Sequence, residues 1–517
     1  MAGADGACFV VFGTACTAVA IAAFQKAALE PYMDEVFHVP QAQRYCEGQW
    51  SAYGPKITTP PGLYVAAVAY TKVVERVGAI AGRSNSHDAC TIAVLRSLNW
   101  WLAAGLIATM AQILNRSMGW AKAVATAVTL GLYPINFFFF FLFYTDTGST
   151  FLLLLAYLWS LPPRDSKKAQ PSRARLSASA AASCAAITFR QTNAVWALFI
   201  FGTAVLRDVS ARAAAARQKR NNDAAAAPAA DAAADADADV DEFGGPLTPK
   251  LLIVFAGAVF RDRQVLMWRH FPLLVPLAGF AAFLAWNGGA VVFGDKEHHV
   301  PVRHWVQPLY VLAVAVSMWG VVGADAAVAP GELHAFLRFW ARVGRRGGSG
   351  GGGGGGGVAM VAIGTGALAA TITMVAWVVH MCTLSHPFLL ADNRHYTFYV
   401  WRRWLGRSDL PLKELLAPAY LYSAWLVVSR LRRAGRTPLW LAALAAATCL
   451  VLVPAHLIEP RYFTLPVLMI HLHAPERSRA NLAAAAVGAA AVNAATIYVF
   501  LFQPIAWGDG SVARFMW

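Results

Sequence analysis

An all-α polytopic membrane protein is the fold class this sequence predicts, and three observations predict it. Of 517 residues, 58% are hydrophobic and only 14% charged, where soluble domains carry about 25% charged residues; the mean hydropathy is +0.48. About twelve or thirteen apolar stretches approach the ~20 residues that a helix needs to cross a bilayer. Those stretches are rich in Ala, Leu, Val and Phe without the alternation of a transmembrane barrel, which leaves helices to satisfy the backbone. The net charge of +15 does not indicate a nucleic-acid partner. Lys and Arg fall in short loops between spans, where they set orientation, and the implied surroundings are membrane lipid. Seven cysteines are scattered without a CxxC or Cys/His cluster, so no zinc site is expected and no disulfide partner is selected for Cys46.

Taken in order, a first span at about 8–24 follows an N-terminus without Lys or Arg, unlike a signal peptide, and is expected to stay as an anchor. It delivers the chain to a polar stretch at 31–64, where Pro31, Pro40, Pro55, Pro60 and Pro61 forbid one continuous helix. The segment 61–80, interrupted by Lys72, Glu75 and Arg76, reads as an interfacial helix of that loop. Spans then alternate with two kinds of connection. The loops 115–122, 162–176, 207–264, 341–357, 430–436 and 473–479 hold Lys and Arg or linker residues. The turns 31–60, 144–147, 190–193, 294–304, 386–407 and 459–462 mix acids, His, Arg and aromatics. The first set is assigned to the cytosol, which leaves the second on the lumenal side; the basic loop 386–407 is the exception, its arginines read as ligand-facing. The expected organisation is a transmembrane half at 1–206 with a structured first lumenal loop at 25–62, and a low-complexity cytosolic linker at 207–264. A second half follows at 265–517, with lumenal loops 294–304 and 386–407 and a glycine-rich cytosolic linker at 341–357.

The polar turns carry the chemistry. Asp34, Glu35 and His38 follow the first span, where ionisable groups near lipid are costly and mark function; the alternative is an acidic helix start. Asp392, Arg394, His395, Arg402 and Arg403 interleave with Tyr396, Phe398, Tyr399 and Trp401, a mixture suited to a lipid phosphate and its sugar. The alternative there is an aromatic belt with snorkelling arginines. Lys296, His298 and His299 offer phosphate or acceptor contacts, or are simply solvated. Asp146 and Arg190 are functional candidates or halves of a structural ion pair. Arg461 stands with Glu459 beside a span end.

Several of these stretches carry a family resemblance. MDEVFHVPQAQRYCEGQW (33–50) with KITTPPGLY (56–64) resembles the first lumenal loop of the dolichyl-phosphate-glucose-dependent α-1,2-glucosyltransferases of the endoplasmic reticulum. HPFLL and ADNRHYTFYVWRRW (386–390 and 391–404), GDKEHHV (294–300), FYTDTGS (143–149), FRQTN (189–193) and IEPRYF (458–463) are similar to other turns of that family, with Pro460 standing between the carboxylate and Arg-Tyr. The resemblance implies a GT-C-type bundle that adds the last glucose of the lipid-linked N-glycan precursor. It implies a dolichyl phosphate glucose donor, a lipid-linked oligosaccharide acceptor, and Asp34 as general base with Glu35 as the alternative. Arg394, His395, Lys296 and Arg402 are then expected at the donor phosphate. Asp392, Glu47, Gln43, His38, Asp146, Arg190, His298, His299, Tyr396 and Arg461 are expected at sugar or acceptor. Phosphate is a good leaving group, so no metal or other cofactor is expected. The competing readings are another GT-C enzyme, such as a mannosyltransferase, and a multispanning transporter.

Overall fold

The computed structural model describes residues 2–28, 30–81, 89–164, 170–225, 246–320, 329–347, 356–407, 409–476, 478–506, 508 and 512–517. Its elements are helices α1 (Ala2–Ala27), α2 (Glu35–Cys46), α3 (Gly62–Ile80), α4 (Ile92–Leu114), α5 (Trp120–Gly131), α6 (Pro134–Phe138), α7 (Thr145–Ser160), α8 (Arg173–Phe189), α9 (Asn193–Ala225), α10 (Pro249–Arg261) and α11 (Arg263–Trp286). The chain continues through α12 (Gln307–Gly320), α13 (Ala329–Gly347), α14 (Gly356–Cys382), α15 (Pro387–Ala391), α16 (Tyr396–Val400), α17 (Ala417–Arg433), α18 (Pro438–Leu452), α19 (Thr464–His473) and α20 (Arg479–Phe502). A two-residue hairpin, β1 (Ile505–Ala506) with β2 (Val512–Ala513), closes it.

The protein is a multi-pass, all-helical membrane protein. Among the described residues six helices are long and apolar enough to cross a bilayer, or seven if α5 and α6, bent by 70°, form one span. Further apolar helices that the sequence counts as spans, among them α12 and α18, are shorter than that. The bend follows from Pro134, which cannot continue α5, and from the Phe137–Phe141 run that turns inward to pack. Phe141 and Phe500 stack on Phe24 at 5.3 and 5.5 Å between ring centroids, tying the short turn Phe139–Phe141 that follows α6, and α20, to α1. Helix starts are set by Thr91, Ser172, Thr248, Thr437 and Ser478, each accepting the third backbone N–H onward.

Three expectations are revised. The linker expected at 207–264 is helical through Ala225 and again in α10, because its first part is Ala-rich and favours helix. Buried Asp208 also pins it to α11 through Arg269 (3.0 Å) and His270 (3.2 Å). The glycine-rich linker begins inside α13, which runs to Gly347. The cores of both linkers, 226–245 and 348–355, lie outside the described residues. The expected halves also interlock, since α11 packs on α8 and α9, and α20 on α1, α5 and α6.

One end of the bundle gathers the polar turns. Pro40 sits inside α2 rather than breaking it, and a Cys46–Cys90 disulfide joins the end of α2 to the turn before α4. That bond ties together the two ends of the stretch that carries α3. Gly294 brings the 294–304 loop onto the first loop: a Cβ there would stand 2.1 Å from the carbonyl oxygen of Ile57.

Candidate active site

The site is organised by the divergence of two neighbouring carboxylates. Met33, at φ 54°, is in the left-handed region that side chains rarely adopt, and this turns the chain into α2 at Asp34. Glu35 points inward and is fully buried, taking Arg96 Nε at 2.9 Å and Nη2 at 2.6 Å. It also accepts the backbone N–H groups of Phe143 (2.7 Å) and Tyr32 (3.2 Å). Asp34 faces the other way. It occupies the N-cap position without making a capping bond; its backbone N–H donates to Tyr144 Oη at 3.0 Å. Its side chain, 39% exposed, accepts from Arg461 Nη1 at 3.0 Å. Burial works against its ionised form, but Arg461, with His38 and Arg190, outweighs this and holds the carboxyl below its usual value.

Asp34 opens onto a cavity of about 400 Å³ whose wall also holds Asp392, Arg394, His395, Glu459 and Arg461. The ADNRHY turn is internally braced. Asp392 takes Arg394 Nε and Nη2, both at 2.7 Å, as a fork, and lies 3.5 Å from His395 Nε2. Burial opposes the charged form of Asp392, yet His395 and Arg394 hold it well below the carboxylate range. Burial likewise opposes protonated His395, yet Asp392 and the carbonyl of Trp517 raise its pKa above the ordinary histidine value. The result is a guanidinium and a favoured imidazolium lining the same cavity as an ionised carboxylate, a set that suits an anionic phosphate and a proton acceptor.

A second cavity, about 330 Å³, lies beyond Arg461 and is lined by Asp146, Arg190, His298, His299, His386 and Tyr462 among others. Arg461 lines both. It is paired with Glu459 and Asp34 and lies 3.7 Å from Asp146 Oδ2. Asp146 is itself paired with Arg190. Among the described residues no group of three or more His, Cys, Asp or Glu is arranged to hold a metal ion; the converging carboxylates close on a guanidinium instead.

The DIE2/ALG10 family model matches residues 28–472, a span that includes Asp34, Asp146, Arg190, Arg394 and Arg461. The chain belongs to the DIE2/ALG10 family. It is similar to the "Dol-P-Glc:Glc(2)Man(9)GlcNAc(2)-PP-Dol alpha-1,2-glucosyltransferase" of Arabidopsis thaliana, 32% identical over 519 residues covering 94% of this chain and 95% of the relative. The Homo sapiens protein of the same name is 30% identical over 532 residues, 100% of each chain. That of Yarrowia lipolytica is 27% identical over 562 residues, 94% and 93%. No solved structure matches.

In this DIE2/ALG10 chain several expected residues fall outside both cavities. Glu35 is committed to Arg96, which removes it as an alternative base. His38 lies buried behind Asp34 with Nδ1 2.6 Å from Tyr64 Oη, its pKa pushed down by burial to about 4. Gln43 donates to the Cys90 carbonyl (3.3 Å) and Glu47 accepts from Gln49 (3.0 Å), so both brace the loop. Lys296 is exposed and donates to the Asn287 carbonyl at 3.2 Å, because its turn packs by Gly294 and aims the lysine outward. Arg402 is exposed in a single wide helical turn at Trp401–Leu405, beyond the braced part of its segment. Tyr396 flanks the first cavity without lining it, its ring against Phe515 (4.4 Å) and Trp517 (4.7 Å).

Sequence reasoning missed part of the wall. Met516 and Trp517 line the first cavity, and Met516 exchanges backbone hydrogen bonds with Arg394 (2.9 Å) and Tyr396 (3.2 Å). Nothing in the local sequence signals this pairing across more than a hundred residues. Arg96 had a signal, a cation near the start of an apolar span, which is a buried-partner prediction.

Proposed function

We propose that this protein transfers glucose from dolichyl phosphate β-glucose to a lipid-linked oligosaccharide bearing two glucoses (Glc2Man9GlcNAc2-PP-dolichol), forming the terminal α-1,2 bond in the endoplasmic reticulum membrane. The observation that carries the reading is that Asp34 shares one cavity with the Asp392–Arg394–His395 group. The printed names of its full-length relatives support the same donor and acceptor. Turning a β-linked donor into an α product requires inversion, achieved in one in-line displacement. The acceptor hydroxyl oxygen bonds to the anomeric carbon while the bond from that carbon to the phosphate oxygen breaks. The electron pair leaves with dolichyl phosphate, and the hydroxyl proton passes to Asp34. Arg394 and protonated His395 stabilise the charge gathering on the departing phosphate. Asp392 orients both.

The site faces the lumen in this reading, because the Lys- and Arg-rich loops lie at the other ends of the helices. The chemistry requires no metal, so transfer persists in excess EDTA; activity lost to EDTA and restored by Mg²⁺ or Mn²⁺ would overturn that point. The deciding experiment supplies purified protein with dolichyl phosphate glucose and the diglucosylated lipid-linked acceptor. Glucose is transferred to it, and neither the monoglucosylated acceptor nor dolichyl phosphate mannose supports the reaction. Equal transfer from the mannose donor would refute the assignment.

A further inference from the structure

Arg461 stands in the wall between the two cavities and faces three carboxylates. It keeps Glu459 through Nε and Asp34 through Nη1 (3.0 Å). The third, Asp146, gives Oδ1 to Arg190, while its Oδ2 is buried, accepts no hydrogen bond, and lies 3.7 Å from Arg461 Nη1. A buried carboxylate oxygen without a donor is costly and calls for an explanation. The rings of Tyr144, Phe139 and Tyr462 surround the guanidinium at 5.5, 5.8 and 5.9 Å, so a cation moving between Asp34 and Asp146 stays over aromatic faces.

We propose that Arg461 is a positioning residue with two seats: on Asp34 while the acceptor site is empty, and on Asp146 Oδ2 while an acceptor hydroxyl occupies Asp34. This rests on the glucosyl-transfer reading above. The exchange is neutral in charge. Asp34 loses one N–H donor and gains the hydroxyl it must deprotonate, Asp146 gains the donor it lacks, and Glu459 anchors the guanidinium throughout. Its consequence is a guarded base: without acceptor Asp34 Oδ2 is held by Arg461 and the carboxylate's charge is partly neutralised, so it activates water toward the bound donor poorly.

The test measures transfer, donor hydrolysis without acceptor, and pH dependence in full-length protein. Asp146→Asn removes the second seat and lowers kcat about tenfold or more with donor KM nearly unchanged, and Asp146→Glu recovers part of it. Arg461→Gln raises the ratio of hydrolysis to transfer. It also moves the acid limb of kcat/KM up by about one pH unit, because burial then acts on Asp34 unopposed by its nearest cation. The other groups facing Asp34 are His38 from its own helix, Arg190 from the α8–α9 turn and Tyr144 before α7, and these stay in place. Asp146 also holds Arg190, so the double variant decides: it is no slower than Arg461→Gln alone. Should Arg461→Gln not fold, Arg461→Lys keeps a charge but not the fork, and shows the same fall in kcat at constant donor KM. Wild-type kcat in Asp146→Asn, or an acid limb that does not move, overturns the exchange. A wild-type protein that transfers no glucose overturns the function reading instead, so the two failures are distinguishable.

Discussion

Replacing Glu35 and Asp34 one at a time separates a structural carboxylate from a chemical one, although they are adjacent in sequence. Glu35 is fully buried and accepts four hydrogen bonds, two from Arg96 and two from backbone N–H groups. Removing it strands a guanidinium that is only 5% exposed, the kind of unpaired buried charge that costs about 3–5 kcal/mol. The Ala28 and Glu30 carbonyls still receive Arg96, which favours the lower part of that range. With an unfolding entropy of ~2.1 cal/mol/K per residue, Glu35→Ala lowers the melting midpoint by about 3–5 °C. Asp34 is half-exposed, and its loss leaves Arg461 paired with Glu459. Asp34→Ala therefore changes stability by less than about 1 kcal/mol but removes the proposed general base, with an expected loss of about 10²–10⁴ in kcat. The assay is thermal unfolding of detergent-solubilised protein beside glucose transfer at a temperature where every variant is folded. An Asp34→Ala protein that transfers at the wild-type rate, or a Glu35→Ala protein that melts with wild type, would refute the division of roles.

Two further perturbations test other parts of the site. The raised pKa of His395 means the imidazolium persists above the usual ~6.5. Donor affinity is then full at lower pH and falls as pH rises through that raised value; His395→Gln flattens the dependence, read by donor binding across about pH 6–9. The Cys46–Cys90 disulfide closes a loop of sequence separation 44, worth roughly 4 kcal/mol on loop entropy alone. Reductant or Cys46→Ser accordingly lowers the melting midpoint, and a melt indifferent to both would count against the bond.

The fold class was legible in composition, because lipid allows few solutions for a chain this apolar, and the alternation of loops set the polar turns apart from the basic ones. Helix lengths were less legible. Proline, glycine and aromatic packing cut apolar runs into bent pieces such as α5 and α6, and hydropathy does not see a bend. The linker at 207–264 was misjudged for a related reason: low complexity describes composition, whereas Asp208 with Arg269 and His270 is a tertiary contact. Among the candidate residues, Asp34, Arg394 and His395 line one cavity and Asp146 and Arg190 the next, with Arg461 in both. Lys296, Arg402 and Glu47 stood at such turns too and face away, because a turn's position does not fix the direction of a long side chain.

The difference between Asp34 and Glu35 is likewise one of side-chain direction. Consecutive side chains at a helix start diverge by about 100°, so one residue of register decides which carboxylate meets solvent. The register of α2 is set by distant partners: Arg96 and Phe143 fasten Glu35, and Tyr64 receives His38. These come from α4, from the turn before α7 and from α3, so the phase of α2 is a property of the assembled bundle. The same contacts that bury Glu35 turn Asp34 toward Arg461, 427 residues later in the chain. Shifting α2 by one residue so that Asp34 took the inward position would give it the four donors that now hold Glu35 and would set Met33 beside Arg461 in place of the proposed base.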